Sequence, residues 1–227
     1  MKNCLVFDLD GTLVDTAPDL MMAHNYVMKK YGYKEKPIES IRHLAGRGAA
    51  AMLIRSIDSQ GNLIKNNPID ANTHQQMTDD FINYYRQNIS GHSQLRKNVI
   101  SLLDWCKEKE IICAVCTNKR EDLAIKLLKE INIYKYFDFI AGADTFDFRK
   151  PDPKHLTEIL DILQIDKKNS IMLGDSETDA NTAKAAKVHF VLIKDGYTEK
   201  SLDNIYHDHL IDDFENVKEI ASNYLNI

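Results

Sequence analysis

Short, unbroken apolar runs recur along this chain, separated by longer stretches whose apolar residues return every three or four positions. Cys4-Leu5-Val6-Phe7 and Ile111 to Cys116 have the continuous hydrophobicity of strands covered on both faces. Further strands are predicted near Phe139 to Ala141, Ser170 to Leu173 and Val188 to Ile193, with a short last one near His209 to Ile211. Helical patterns lie between them, over Leu95 to Lys109, Arg120 to Ile131, Pro153 to Leu163, Asp179 to Lys187 and Phe214 to Leu225. Such alternation predicts an α/β protein, a parallel sheet with helices on both faces. Right-handed crossovers would line up the motif-bearing strand ends along one edge.

The gap between the first two long strands breaks this rhythm. From about Pro18 to Gly91 the pattern is helical throughout. Leu20, Met21, His24, Val27 and Met28 share one helical face, Met52 and Ile57 a second, and Met77, Phe81 and Tyr84 a third. We expect an inserted α-helical cap domain, residues 17–91, over a Rossmann-like core of residues 1–16 and 92–227. Gln60 to Asp70 is polar and turn-rich, and is expected to be a loop within the cap.

Polar residues are concentrated where the apolar runs stop. Asp8 and Asp10 follow the first strand, where an open α/β sheet usually meets its ligand. Two carboxylates at a buried edge need compensation, and a hard divalent cation such as Mg²⁺ is the simplest partner. A plain alternative is a capped turn, with Asp10-Gly11 turning the chain and Asp8 paired to a lysine. Thr117 and Asn118 end the second long strand, a neutral hydrogen-bonding cradle for phosphate or carboxylate. Lys150 precedes the proline-stiffened helix start at Pro151-Asp152-Pro153. Asp175 and Asp179 follow the apolar run Ile171 to Leu173. Acid, hydroxyl, lysine and acid at successive points of one α/β pattern argue strongly against the plain turn.

Composition narrows the classes. A chain of 227 residues with 44% hydrophobic and 28% charged positions has the make-up of a soluble globular protein. No apolar stretch approaches the roughly 20 residues of a membrane span, so no membrane partner is expected. The N-terminus runs straight into a strand, so no secretory signal and a cytoplasmic location are expected. A net charge of -5 without a basic stripe argues against nucleic acid. Cys113 and Cys116 form C-x-x-C, but three positions along a strand they face opposite ways and are expected to be buried thiols, as are Cys4 and Cys106.

The strings FDLDGTLVDT (Phe7 to Thr16), AGRGA (Ala45 to Ala49), GADTFDFRKPDP (Gly142 to Pro153) and GDSETDAN (Gly174 to Asn181) resemble the haloacid dehalogenase superfamily. Within it they are most similar to the phosphoglycolate phosphatases. The resemblance implies that Asp8 is a nucleophile forming an aspartyl-phosphate and Asp10 the general acid and base. It implies Mg²⁺ held by Asp8, the Asp10 carbonyl and Asp175, with Asp179 in support through a metal-bound water. Thr117, Asn118 and Lys150 would hold the phosphoryl oxygens. Asp10 points to ester chemistry, because the dehalogenase branch lacks an acid there. The cap would open and close over the site, and the substrate would be a small anionic phosphate ester, 2-phosphoglycolate first. A monomer or homodimer is expected.

Arg47, between Gly46 and Gly48, is the cap candidate for reading the leaving group, since its guanidinium can hold a small carboxylate bidentately. His43 lies beside that loop. Lys119, Arg120 and Arg149 read as solvated or helix-end charges. Where the family commonly has glycine after the last motif helix, this chain has Lys187, at a cost of about 1 kcal/mol if a left-handed cap is kept. Rival readings are a sugar-phosphate mutase, a pyrophosphatase or nucleotidase, and an inactive binding protein. The last would be expected to lose Asp8, Asp10, Lys150 or Asp175, and all four are present.

Overall fold

A computed structural model of the chain describes residues 2–42, 44–46, 48–58, 69–198 and 200–227. His43, Arg47 and nearly all of the 60–70 loop lie outside the described residues. Eight strands are described: β1 (Cys4–Phe7), β2 (Val14–Asp15), β3 (Gln94–Leu95), β4 (Ile112–Cys116), β5 (Phe139–Ala141), β6 (Ser170–Gly174), β7 (His189–Ile193) and β8 (His209–Ile211). Six of them form one parallel sheet in the order β5-β4-β1-β6-β7-β8. The chain fills the β4-β5 side first, then crosses back over β1 to β6, so β1 stands at the point where strand order reverses. Ligands bind at such a point in open α/β sheets.

Alternation along the strands makes two cores. Leu5, Phe7, Cys113 and Val115 enter one apolar layer, while Cys4, Val6, Ala114 and Cys116 enter the other. Helices α5 (Val99–Glu108), α6 (Glu121–Glu130) and α9 (Glu215–Leu225) supply the first layer with Leu102, Leu127 and Val217 among others. Helices α7 (Lys154–Leu163) and α8 (Glu177–Ala186) supply the second, with Leu156, Ile159 and Ala183. Cys113 and Cys116 thus face opposite sides of the sheet, and all four cysteines are free and buried.

Between β2 and β3 the chain forms α1 (Ala17–Lys30), α2 (Ile38–Arg42), α3 (Ala49–Asp58) and α4 (Ala71–Gln87). Val27, Met28, Met52, Leu53, Met77, Phe81 and Tyr85 close their shared interior, which is continuous with the first core layer. Asp19, on the first turn of α1, is buried and accepts from the backbone N–H groups of His92 and Ser93 and from the Ser93 hydroxyl. That bond set ties the start of the helical segment to its end.

One expectation needs correction. Leu95 does not begin a helix but pairs with Val14 across an antiparallel two-strand ribbon, where Asp15 faces Gln94. Helix α5 starts at Val99, after Asn98 in left-handed conformation (φ 63°) whose side chain bonds Asp213. Two-residue strands carry no periodicity to read.

Lys187 ends α8 in the left-handed region (φ 60°, ψ 43°) with its side chain exposed. A β-carbon is disfavoured there, and glycine removes that penalty at some cost in chain entropy. Lys187→Gly should therefore stabilise the fold by about 0.5–1 kcal/mol in urea titrations, and a loss of stability would contradict this account of the cap.

Candidate active site

Each main polar group sits one residue beyond a strand of the central triplet. The Asp8 N–H donates to the Leu173 carbonyl at 2.9 Å, and the Thr117 N–H to the Ala141 carbonyl at 3.0 Å. The sheet ladder therefore runs one step past β1 and β4, and it aligns Asp8, Thr117 and Asp175 along the carboxyl edge. Gly11 (φ 85°) then turns the chain so that Leu13 and Val14 donate back to the Leu9 carbonyl. Gly11 and Gly196 flank the Asp175 side chain, and a β-carbon at either would collide with it.

Asp175 is buried and fully positioned. One oxygen accepts from the Thr12 hydroxyl at 2.7 Å and the other from the Tyr197 N–H at 2.5 Å. Asp179 uses one oxygen to accept from the Ser176 N–H and hydroxyl, closing a capping box at the start of α8. Its other oxygen holds the Lys150 ammonium at 2.6 Å. Lys150, itself buried, stands 2.8 Å from Asp8 Oδ1.

Carboxylate oxygens of Asp8, Asp175 and Asp179 lie within 4.8 Å of one another. Burial pushes the Asp8 carboxyl up to about 6, and Lys150 opposes that shift. Burial, then Asp179 and Asp8, push Asp175 up to about 8. Three carboxylates against one ammonium leave two negative charges in a water-poor pocket, an arrangement that is stable only if protonated or neutralised by a cation. An all-oxygen donor set that carries two charges beyond its one ammonium fits a hard divalent ion. Asp8 and Asp175 are the candidates to touch it, whereas both Asp179 oxygens already serve Lys150 and the helix cap.

Above this acidic floor is a cavity of about 200 Å³. Asp8, Asp10, Thr117, Asn118 and Lys119 line its sheet side, and residues of the Ala45–Met52 region with Thr78, Phe81 and Tyr85 line its helical side. Asn118 spends its amide hydrogens on the carbonyls of Lys150 and Gly46, which leaves its side-chain oxygen buried without a partner. Gly46 and Gly48 have φ of 88° and 86°, in the left-handed region that favours glycine. Arg47 between them lies outside the described residues.

Lys119 is not the solvated charge expected from the sequence. It is buried, and its ammonium donates to both Asp10 oxygens at 2.7 and 2.8 Å, 4.6 Å from the centre of the Tyr85 ring. Asp10 also accepts from the Thr16 hydroxyl at 2.7 Å. A lysine is buried only when paired, and its pair here is 109 positions away in sequence, which no local pattern reveals. Arg120 and Arg149 are exposed. Thr12, Tyr197 and Tyr85 also escaped the sequence reading. Tyr197 joins Asp175 to the start of α1, because its hydroxyl bonds Asp15 and accepts from the Ala17 N–H.

The family model for haloacid dehalogenase-like hydrolases matches residues 5–193. Phosphoglycolate phosphatase of Mesorhizobium japonicum is 36% identical over 88% of this chain and 86% of its own. That of Agrobacterium fabrum is 36% identical over 92% and 88%. Among solved structures, a predicted phosphoglycolate phosphatase from Haemophilus somnus superposes with a TM-score of 0.89 at 25% identity, covering 96% of this chain and 97% of that one. β-Phosphoglucomutase from Clostridium difficile shares the fold, with a TM-score of 0.79 at 22% identity over the full length of both chains.

The raised carboxyls fix the sign of a pH effect. The folded state holds these protons more tightly than the unfolded state does, so without metal the advantage is full below about pH 4 and is lost as pH rises through about 6 and about 8. A divalent ion competes with the same protons. Mg²⁺ should therefore raise the melting temperature over an EDTA control more at pH 8 than at pH 5, and Asp175→Asn should shrink that difference. An increment independent of pH would contradict this reading of the cluster.

Proposed function

The chain belongs to the haloacid dehalogenase-like hydrolase family, and on that premise we propose that it is a Mg²⁺-dependent phosphatase whose substrate is 2-phosphoglycolate. The observation that carries the reading is the pairing of Asp8, beside Lys150 at the buried edge, with Asp10 two residues on, both lining the same small cavity. The named relatives support the substrate.

Asp8 attacks phosphorus, forming an aspartyl-phosphate as the bond to the leaving oxygen breaks. Asp10 gives its proton to the departing alkoxide and then takes one from the water that releases phosphate. Lys150 offsets the repulsion between Asp8 and the incoming phosphate, and Asp179 keeps that ammonium in place from behind. The Thr117 hydroxyl faces the same cavity and donates to a phosphoryl oxygen. Asp8, Asp175 and the Asp10 carbonyl would hold Mg²⁺, which when bound would neutralise charge gathering on the phosphoryl group. Residues 17–91 act as a cap that admits substrate and excludes water, with the β2-β3 ribbon as its two connections to the core.

Asp8→Asn should cut turnover by roughly 10⁴-fold or more while the thermal melt stays cooperative. Phosphate release with Mg²⁺ should be fastest on 2-phosphoglycolate in a panel with glucose 1-phosphate, pyrophosphate and nucleoside monophosphates. Preference for a sugar phosphate, or hydrolysis surviving in the Asn variant, would refute the proposal.

A further inference from the structure

Beyond the phosphoryl-binding edge, Lys119 and Tyr85 line the cavity from its sheet side and its helical side. The Tyr85 hydroxyl, on α4, is buried and has no hydrogen-bond partner among the described residues. Burial holds its ionisation well above the usual phenol range, so it remains a neutral donor. A buried, unpaired phenol costs free energy that a bound acceptor would recover. The Lys119 ammonium stands over the face of the Tyr85 ring, 4.6 Å from its centre, with its side chain only 4% exposed. One ammonium and one phenol, from two separate parts of the fold, thus meet beside Asp10.

Resting on the phosphatase reading above, we propose that Lys119 and Tyr85 form a subsite for a carboxylate borne directly on the ester carbon of the substrate. Asp10 must come within hydrogen-bond reach of the ester oxygen to protonate it. Lys119 is bonded to Asp10 through both oxygens, so its ammonium stands one contact from that ester oxygen. In an O–CH₂–COO⁻ leaving group the carboxylate is two bonds from the same oxygen, which puts it against Lys119. When Asp10 turns to the ester it leaves the ammonium, and an unpaired buried cation is costly. The substrate carboxylate takes over as its anion, with the Tyr85 hydroxyl donating to the second oxygen. A neutral leaving group cannot make this exchange, so Lys119 is specificity-determining: it releases Asp10 most readily when the correct substrate is present.

The test measures kcat and KM on 2-phosphoglycolate and on its neutral counterpart, 2-hydroxyethyl phosphate, for wild type, Lys119→Met, Lys119→Arg and Tyr85→Phe. In Lys119→Met the kcat/KM ratio of carboxylated to neutral ester should fall about tenfold or more, mainly through KM. Lys119→Arg should keep most of the preference. Tyr85→Phe retains the ring and should lose part of the ratio, which gives a second reading if Lys119→Met does not fold. Equal losses on both esters in Lys119→Met and Tyr85→Phe would reduce them to positioning Asp10 and overturn the subsite. Wild type without preference for the carboxylated ester would instead overturn the substrate reading itself.

Discussion

One ammonium among three carboxylates governs this molecule. Lys150 is buried between Asp8 and Asp179, with Asp175 close behind, so the carboxyl edge of the sheet carries more negative charge than the protein neutralises by itself. Water would dissipate that charge, but the strand ends and the helical segment exclude it. The surplus makes the edge receptive to a cation. Lys150 meanwhile keeps Asp8 approachable by an anion. Asp179 shows how economically the arrangement is built, because one carboxylate both caps α8 and anchors the lysine.

The sheet explains why these groups meet. Parallel strands β4, β1 and β6 are neighbours, and each is followed at once by a polar side chain of the carboxyl edge, Thr117, Asp8 and Asp175. Side chains more than a hundred positions apart become adjacent because the ladder dictates their register. Glycines at 11 and 196 leave room for Asp175, and Thr12 and Tyr197 consume one hydrogen-bonding site on each of its oxygens. The carboxylate is thereby oriented before any ligand arrives, so little reorganisation remains to be supplied during reaction.

A second ion pair links the edge to the helical segment. Asp10 is held by Lys119 and Thr16, and Lys119 lies over Tyr85 of α4. Asp19 fastens the base of α1 to the chain returning from α4. The connections between the two parts are therefore short and hydrogen-bonded. Asp10 and Lys119 line the cavity together with Tyr85, so this ion pair stands where core and helical segment meet.

Much of this was legible in the chain. Apolar runs of strand length marked β1, β4, β6 and β7, because a strand buried on both faces must be apolar throughout. Asp8, Asp10, Thr117 and Asp175 stood out as polar residues where such runs stop, and Lys150 as the lysine before a proline-stiffened helix start. Only the tertiary structure decided the rest. The β2-β3 ribbon is too short to show a period, and the left-handed Asn98 that delays α5 depends on Asp213 from the far end of the core. Lys119 reads as an ordinary surface lysine until the fold brings Asp10 and Tyr85 to it. Thr12, Tyr197 and Tyr85 are likewise given meaning by partners distant in sequence. Local pattern reports what a segment buries, but which charge a buried group answers is set by residues that only folding brings within reach.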